Sequence, residues 1–141
     1  MQTDTCVERN LEILKRHLAA ENEHDMDATL ATLHPACLFE DPMQGLVYRG
    51  REGAREYYAL WWRAFDLTVV SERRHITTDG DVVSEARYQG VHRGSFMGES
   101  ATGARIDFPL AVFLTFREGL LARERFYYDL GGLREQLRLP N

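Results

Sequence analysis

The sequence predicts an α+β fold in which a curved sheet wraps on helices that come first in the chain. In the first half, apolar residues recur mostly at helical spacing. The second half turns to long β-branched stretches, broken at Asp79-Gly80 and Glu118-Gly119, which are hairpin signals. No internal repeat, linker or low-complexity segment divides the chain, so residues 1–141 are expected to form a single domain.

Helix 1 is expected from about Thr5 to Glu21. Thr5 and Glu8 have capping-box spacing, and Val7, Leu11, Leu14 and Leu18 form its apolar stripe. His17 lies one turn after Leu14 and borders that stripe. A short helix follows Asp25 as N-cap and stops before His34-Pro35. Cys37 to Asp41 reads as a strand, and Met43 to Gly50 as a loop. Helix 3 covers roughly Arg51 to Phe65, with Tyr57, Tyr58, Trp61, Trp62 and Phe65 making a broad aromatic face. Trp61 and Trp62 are about 100° apart on a helix and cannot both face inward. Leu67 to Thr77 and Asp81 to His92 form one predicted hairpin; Arg105 to Phe116 and Leu120 to Tyr128 form another. Between them, residues 94–103 hold three glycines and two serines and read as a loop. Asp129 precedes a last helix over Leu130 to Leu137, whose N–H groups at Gly131 and Gly132 it is placed to cap.

The net charge of −5, without a long basic run, argues against nucleic-acid binding. No stretch reaches eighteen apolar residues, and Asp4 and Glu8 precede any apolar run; a membrane span and a signal peptide are not expected. Cys6 and Cys37 are too few for a disulfide framework or a zinc site. The five histidines show no i, i+4 or carboxylate-bracketed spacing, so no metal site is expected. These features together predict a reduced, cytoplasmic protein without membrane or nucleic-acid partners.

Asp41 is the first candidate for chemistry. Pro42 holds it in extended geometry at a strand end, and the aromatic helix follows. A carboxylate facing an aromatic pocket suits a general base. The alternative is an aspartate capping the turn at Pro42 and touching solvent.

Several strings carry a resemblance. They are Phe39-Glu40-Asp41-Pro42 with Tyr48-Arg49-Gly50-Arg51-Glu52-Gly53, the run from Gly90 to Gly98, Ala101-Thr102-Gly103-Ala104-Arg105-Ile106, and Phe116-Arg117-Glu118-Gly119 leading to Tyr127-Tyr128-Asp129-Leu130. Over nearly the whole chain they resemble the nuclear transport factor two-like (cystatin-like) superfamily, and within it SnoaL-like polyketide cyclases, ketosteroid isomerases and limonene epoxide hydrolases. The resemblance implies a cone-shaped mixed sheet closed by helices around an apolar central pocket, and a homodimer through the outer sheet face. It also implies that Asp41 is the proton-shuttling aspartate, a role established for ketosteroid isomerases. That enzyme's oxyanion tyrosine falls at His17 and its protonated aspartate near Val112. The cyclases' catalytic aspartate on the last strand reads Phe126. The hydrolases' Arg-x-Asp reads Ala86-Arg87-Tyr88, so their triad is absent.

Strand alternation places Glu124, Phe126 and Tyr128 on one face of the last strand. If Phe126 points inward, Phe108, Leu110, Val112 and Leu114 join it from the preceding strand. Tyr57, Trp61 and Phe65 are assigned as the helix's share of the substrate pocket. An apolar, ring-containing ligand is expected there, held by Asp41, Glu124, Tyr128 and His17. Each has a structural alternative: His17 as a boundary histidine, Glu124 paired with an arginine, and His92 facing solvent from its glycine-rich turn. The leading expectation is a cofactor-independent enzyme, in which Asp41 removes a proton alpha to a carbonyl while His17 or Tyr128 hydrogen-bonds the enolate. Isomerisation and aldol cyclisation both use that enolate. A non-catalytic small-molecule-binding protein is the second expectation, and an epoxide hydrolase the third.

Overall fold

The β-rich second half forms most of one curved, six-stranded mixed sheet. The structure, a computed structural model, describes residues 2–138. Its strands are β1 (Leu33–Asp41), β2 (Leu46–Arg49), β3 (Thr68–Ile76), β4 (Val82–Val91), β5 (Arg105–Arg117) and β6 (Leu120–Tyr128), in the order β2-β1-β6-β5-β4-β3. β1 and β6 run parallel and the other neighbours antiparallel. The helices are α1 (Gln2–Asn22), α2 (Met26–Ala31), α3 (Gly50–Ala64) and α4 (Leu130–Arg138). None of them is long and apolar enough to cross a membrane.

Most elements lie where the sequence signals place them, within a residue or two. Gly80 takes a positive φ in the Thr77–Asp81 turn, and the Glu118-Gly119 pair has two positive φ angles, as a tight hairpin requires. Asp25 caps α2 by accepting the Ala28 N–H, and Asp129 accepts the Gly132 N–H at the start of α4. Three expectations fail. Helix α1 already runs from Gln2, so Thr5 is a helical residue and not the N-cap; no Gly or Pro interrupts residues 2–5. The loop between Asp41 and Gly50 contains β2, a four-residue edge strand too short to show a period in sequence. The strand before it starts at Leu33 and includes Pro35. Pro35 has no N–H, and the β1–β6 register is irregular between Leu33 and Leu38.

Alternation does the rest. Cys37, Phe39 and Asp41 of β1 point inward, as do Ile106, Phe108, Leu110, Val112 and Leu114 of β5 and Glu124, Phe126 and Tyr128 of β6. The concave face meets the Tyr57, Tyr58, Trp61 and Phe65 side of α3.

Candidate active site

Two clusters of polar side chains are buried inside this ring-rich core. The first is built on the last residue of β1. Asp41 is 0% exposed, and its Oδ2 accepts hydrogen bonds from Tyr57 Oη at 2.8 Å, Tyr128 Oη at 2.8 Å and Gln44 Nε2 at 3.0 Å. Its Oδ1 accepts the Gln44 backbone N–H at 3.1 Å. Gln44 Nε2 also donates to Tyr128 Oη. Asp41 therefore closes the turn that follows Pro42 and also faces the aromatic helix; it does not touch solvent. Burial, with the neighbouring Asp41, pushes the hydroxyls of Tyr57 and Tyr128 above the usual tyrosine range, so both remain proton donors at ordinary pH. Oδ2 is saturated by three donors, whereas Oδ1 has one.

The second cluster surrounds His17, which is 1% exposed. Thr32 gives its own hydroxyl proton to the Thr29 carbonyl, so it accepts from His17 Nδ1–H at 2.7 Å. His17 Nε2 lies 3.2 Å from both Glu21 and Glu124 and 2.9 Å from Tyr58 Oη, which donates to Glu124. Burial alone would lower the His17 pKa. The charge and hydrogen bond of Glu124, followed by those of Glu21, overcome that and raise it to about 10. Burial also raises the Glu21 carboxyl.

This has a consequence for stability. A folded-state pKa raised from 6.5 to about 10 means that the folded chain holds the proton more tightly. Its stabilisation is complete below about pH 6.5 and is lost as pH rises through about 10. Urea midpoints should fall steadily across that window, and His17→Gln should remove most of the slope. A flat profile in the parent would show that His17 is neutral.

Among the described residues, aromatic rings fill most of the cone. Trp61 lies against Phe65, Tyr88, Phe96, Phe108 and Tyr128, with ring centroids between 5.1 and 6.3 Å. Among the described residues they leave an apolar cavity of about 30 Å³, room for roughly one water, bordered by His17, Glu21, Glu124, Tyr88, Val112 and Phe126. Seven large aromatics, two of them (Tyr88 and Phe96) outside the residues assigned to the pocket, occupy the volume assigned to a ligand: Tyr57, Trp61, Phe65, Tyr88, Phe96, Phe108 and Tyr128.

The assigned residues thus fall into two groups. Asp41, Tyr57 and Tyr128 meet directly, with Trp61 and Phe108 beside Tyr128. His17 and Glu124 meet separately, near Val112, Leu114 and Phe126. Leu110 and Phe65 are core residues. Glu124 pairs with the histidine in place of an arginine, while Arg123 binds Glu40. His92 is buried, not solvent-facing, because Thr102 folds over it. Trp62 stacks on His24 at 4.7 Å in the wall of an open surface groove. The sequence reading missed Gln44, Thr32, Tyr58 and Glu21. Of these, Glu21 was legible, since it follows His17 by four residues on one helix face.

Residues 11–137 match the family described as SnoaL-like polyketide cyclase. No curated protein matches the sequence. The fold is similar to that of a protein from a Jannaschia species provisionally described as a SnoaL-like polyketide cyclase, at 25% identity and a TM-score of 0.84, covering 95% of this chain and 94% of that one. TsrD from Streptomyces laurentii is 28% identical with a TM-score of 0.81, over 93% of this chain and 96% of its own. A protein from Catenulispora acidiphila with a ketosteroid isomerase-like fold, solved with trimethylamine, shares the fold at 22% identity and a TM-score of 0.78, over 92% of this chain and 94% of that one.

Proposed function

The chain belongs to the SnoaL-like polyketide cyclase family, and from that premise we propose that it is a cofactor-independent enzyme moving a proton on an apolar, ring-containing carbonyl compound. The supporting observation is the Asp41 cluster: a fully buried carboxylate with two tyrosine hydroxyls on one oxygen and spare acceptor capacity on the other. A proton alpha to the substrate carbonyl passes to Asp41. Once protonated, Asp41 attracts its donors less strongly, and the Tyr128 O–H is released to the enolate oxygen forming beside it. The enolate then takes a proton back at another carbon, which is isomerisation, or attacks a second carbonyl, which is aldol cyclisation. His17, charged between Glu21 and Glu124, holds the far wall and sets its polarity.

The test is hydrogen–deuterium exchange at the alpha carbons of aromatic ketones in D₂O, followed by NMR. Exchange accelerated by the protein supports the proposal. A shift in melting temperature without exchange supports the second reading, a binding protein, which the saturation of Asp41 Oδ2 favours.

The same proposal includes a homodimer through the outer sheet face. Phe113, 45% exposed, meets Tyr127 edge-on at 5.6 Å, and Arg125 lies 5.4 Å over the Tyr127 ring. Such an aromatic and arginine patch is typical of interface centres. Sedimentation should show a dimer that Phe113→Asp converts to monomer; a monomeric parent removes this part.

A further inference from the structure

Among the described residues, two buried hydrogen-bond donors in the cone have no partner: Trp61 Nε1 and His92 Nε2. Both residues are 1% exposed. His92 Nδ1 accepts the Thr102 N–H, so in the neutral ring the proton sits on Nε2. Native interiors rarely leave such groups unsatisfied, and exceptions call for an explanation. These two share one neighbourhood. Trp61 packs on Phe65 and Phe96, at 5.9 and 5.1 Å, and His92 packs on Phe65 at 5.3 Å.

Phe96 differs from the other rings in what carries it. They stand on α3, at its C-cap or on the strands, whereas Phe96 hangs from the irregular segment at residues 94–103, yet is only 2% exposed. That segment is pinched at its base, where His92 N–H donates to the Ala104 carbonyl and Gly103 N–H to the His92 carbonyl. At its start, Arg93 and Gly94 both donate to the Ala64 carbonyl. A Cβ on Gly94 would meet the Arg63 carbonyl oxygen at 2.1 Å, so only glycine fits there. Between these anchors, Phe96 and Glu99 bond each other through both backbone pairs, so the tip closes on itself. Met97 and Gly98 at its tip both have positive φ. The tip is tied to α4 by long ion pairs, Glu99 to Arg134 at 3.8 Å and to Arg138 at 3.6 Å.

We propose that residues 95–99 form a removable plug, and that the space under Phe96 is a binding site for a planar aromatic ketone whose oxygen accepts from Trp61 Nε1 or His92 Nε2. A planar aromatic guest replaces the Phe96 ring against Trp61 and Phe65. Its carbonyl oxygen satisfies what Phe96, lacking any acceptor, leaves orphaned. The site is close to the Asp41 cluster: Trp61 also touches Tyr128, so a guest longer than one ring reaches toward it. The inference rests on the small-molecule reading above but does not require turnover.

The experiment titrates indanone and indane, two guests of similar shape that differ in the carbonyl, into the protein by calorimetry. The parent is compared with Phe96→Ala and with Glu99→Ala, which keeps the ring and loosens only surface ion pairs. Removing or loosening the plug raises the competent population, so indanone should bind about tenfold more tightly to Phe96→Ala and severalfold more tightly to Glu99→Ala. In both variants indanone should exceed indane by about fivefold, the worth of one neutral hydrogen bond. Both guests should move the Trp61 indole N–H resonance, assigned with Trp62→Phe, through their ring currents, and where Trp61 is the donor indanone should move it further downfield. Equal indanone affinity in the parent and Glu99→Ala, or indane bound as well as indanone, overturns the proposal. If Phe96→Ala does not fold, the Glu99→Ala comparison decides. Binding without alpha-carbon exchange would leave the plug standing and remove only the catalytic reading.

Discussion

Replacing Asp41 by asparagine is expected to slow alpha-hydrogen exchange by about 10²–10⁴-fold, the usual contribution of a positioned general base. The amide keeps the shape but offers one acceptor oxygen where the carboxylate offered two. If that oxygen faces Tyr57 and Tyr128, the NH₂ group turns toward the Gln44 N–H, donor against donor. The variant should therefore also lose about 1–3 kcal/mol of stability, the cost of a buried polar group left unpaired. Activity is to be read well below its melting temperature. Exchange as fast as in the parent would take Asp41 out of the mechanism and leave it as the clasp of the Pro42 turn.

The second large effect is expected at Glu124. Glu124→Leu removes the carboxylate that does most to keep His17 charged. The imidazolium is then left with Glu21, whose own burial favours its neutral form. Breaking a buried ion pair from one side costs about 3–5 kcal/mol, because the surviving charge has lost its partner. Removing both members with His17→Leu/Glu124→Leu should return most of that loss, since apolar groups of similar volume often replace buried pairs at little cost. Chemical denaturation at pH 7 measures both. A loss below about 1 kcal/mol in the single variant would mean that the cluster carries no net charge to strand.

These two sites differ in how far the sequence exposed them. Asp41 was legible because Pro42 fixes its backbone and strand alternation turns it inward with Phe39. Its partners were not all legible. Tyr128 was expected in the same pocket, and the parallel β1–β6 pairing brings it, 87 positions away, to the same carboxylate, whereas Gln44 sits in a loop that carries no such signal. At His17 the Glu21 neighbour follows from helical spacing alone, whereas Glu124 arrives from the last strand.

Periodicity, caps and hairpin signals by themselves determined most of the elements, their order and which residues of a strand share a face, because each depends on contacts close in sequence. The resemblance to a cone-shaped family also came from the chain alone. What only the tertiary structure decided is how much of the cone is empty. That depends on side chains from α3, β4, β5, β6 and the 94–103 segment competing for one volume, and no local pattern reports the sum. The rings nearly fill it, and the two donors they leave unsatisfied became visible only once every neighbour was in place.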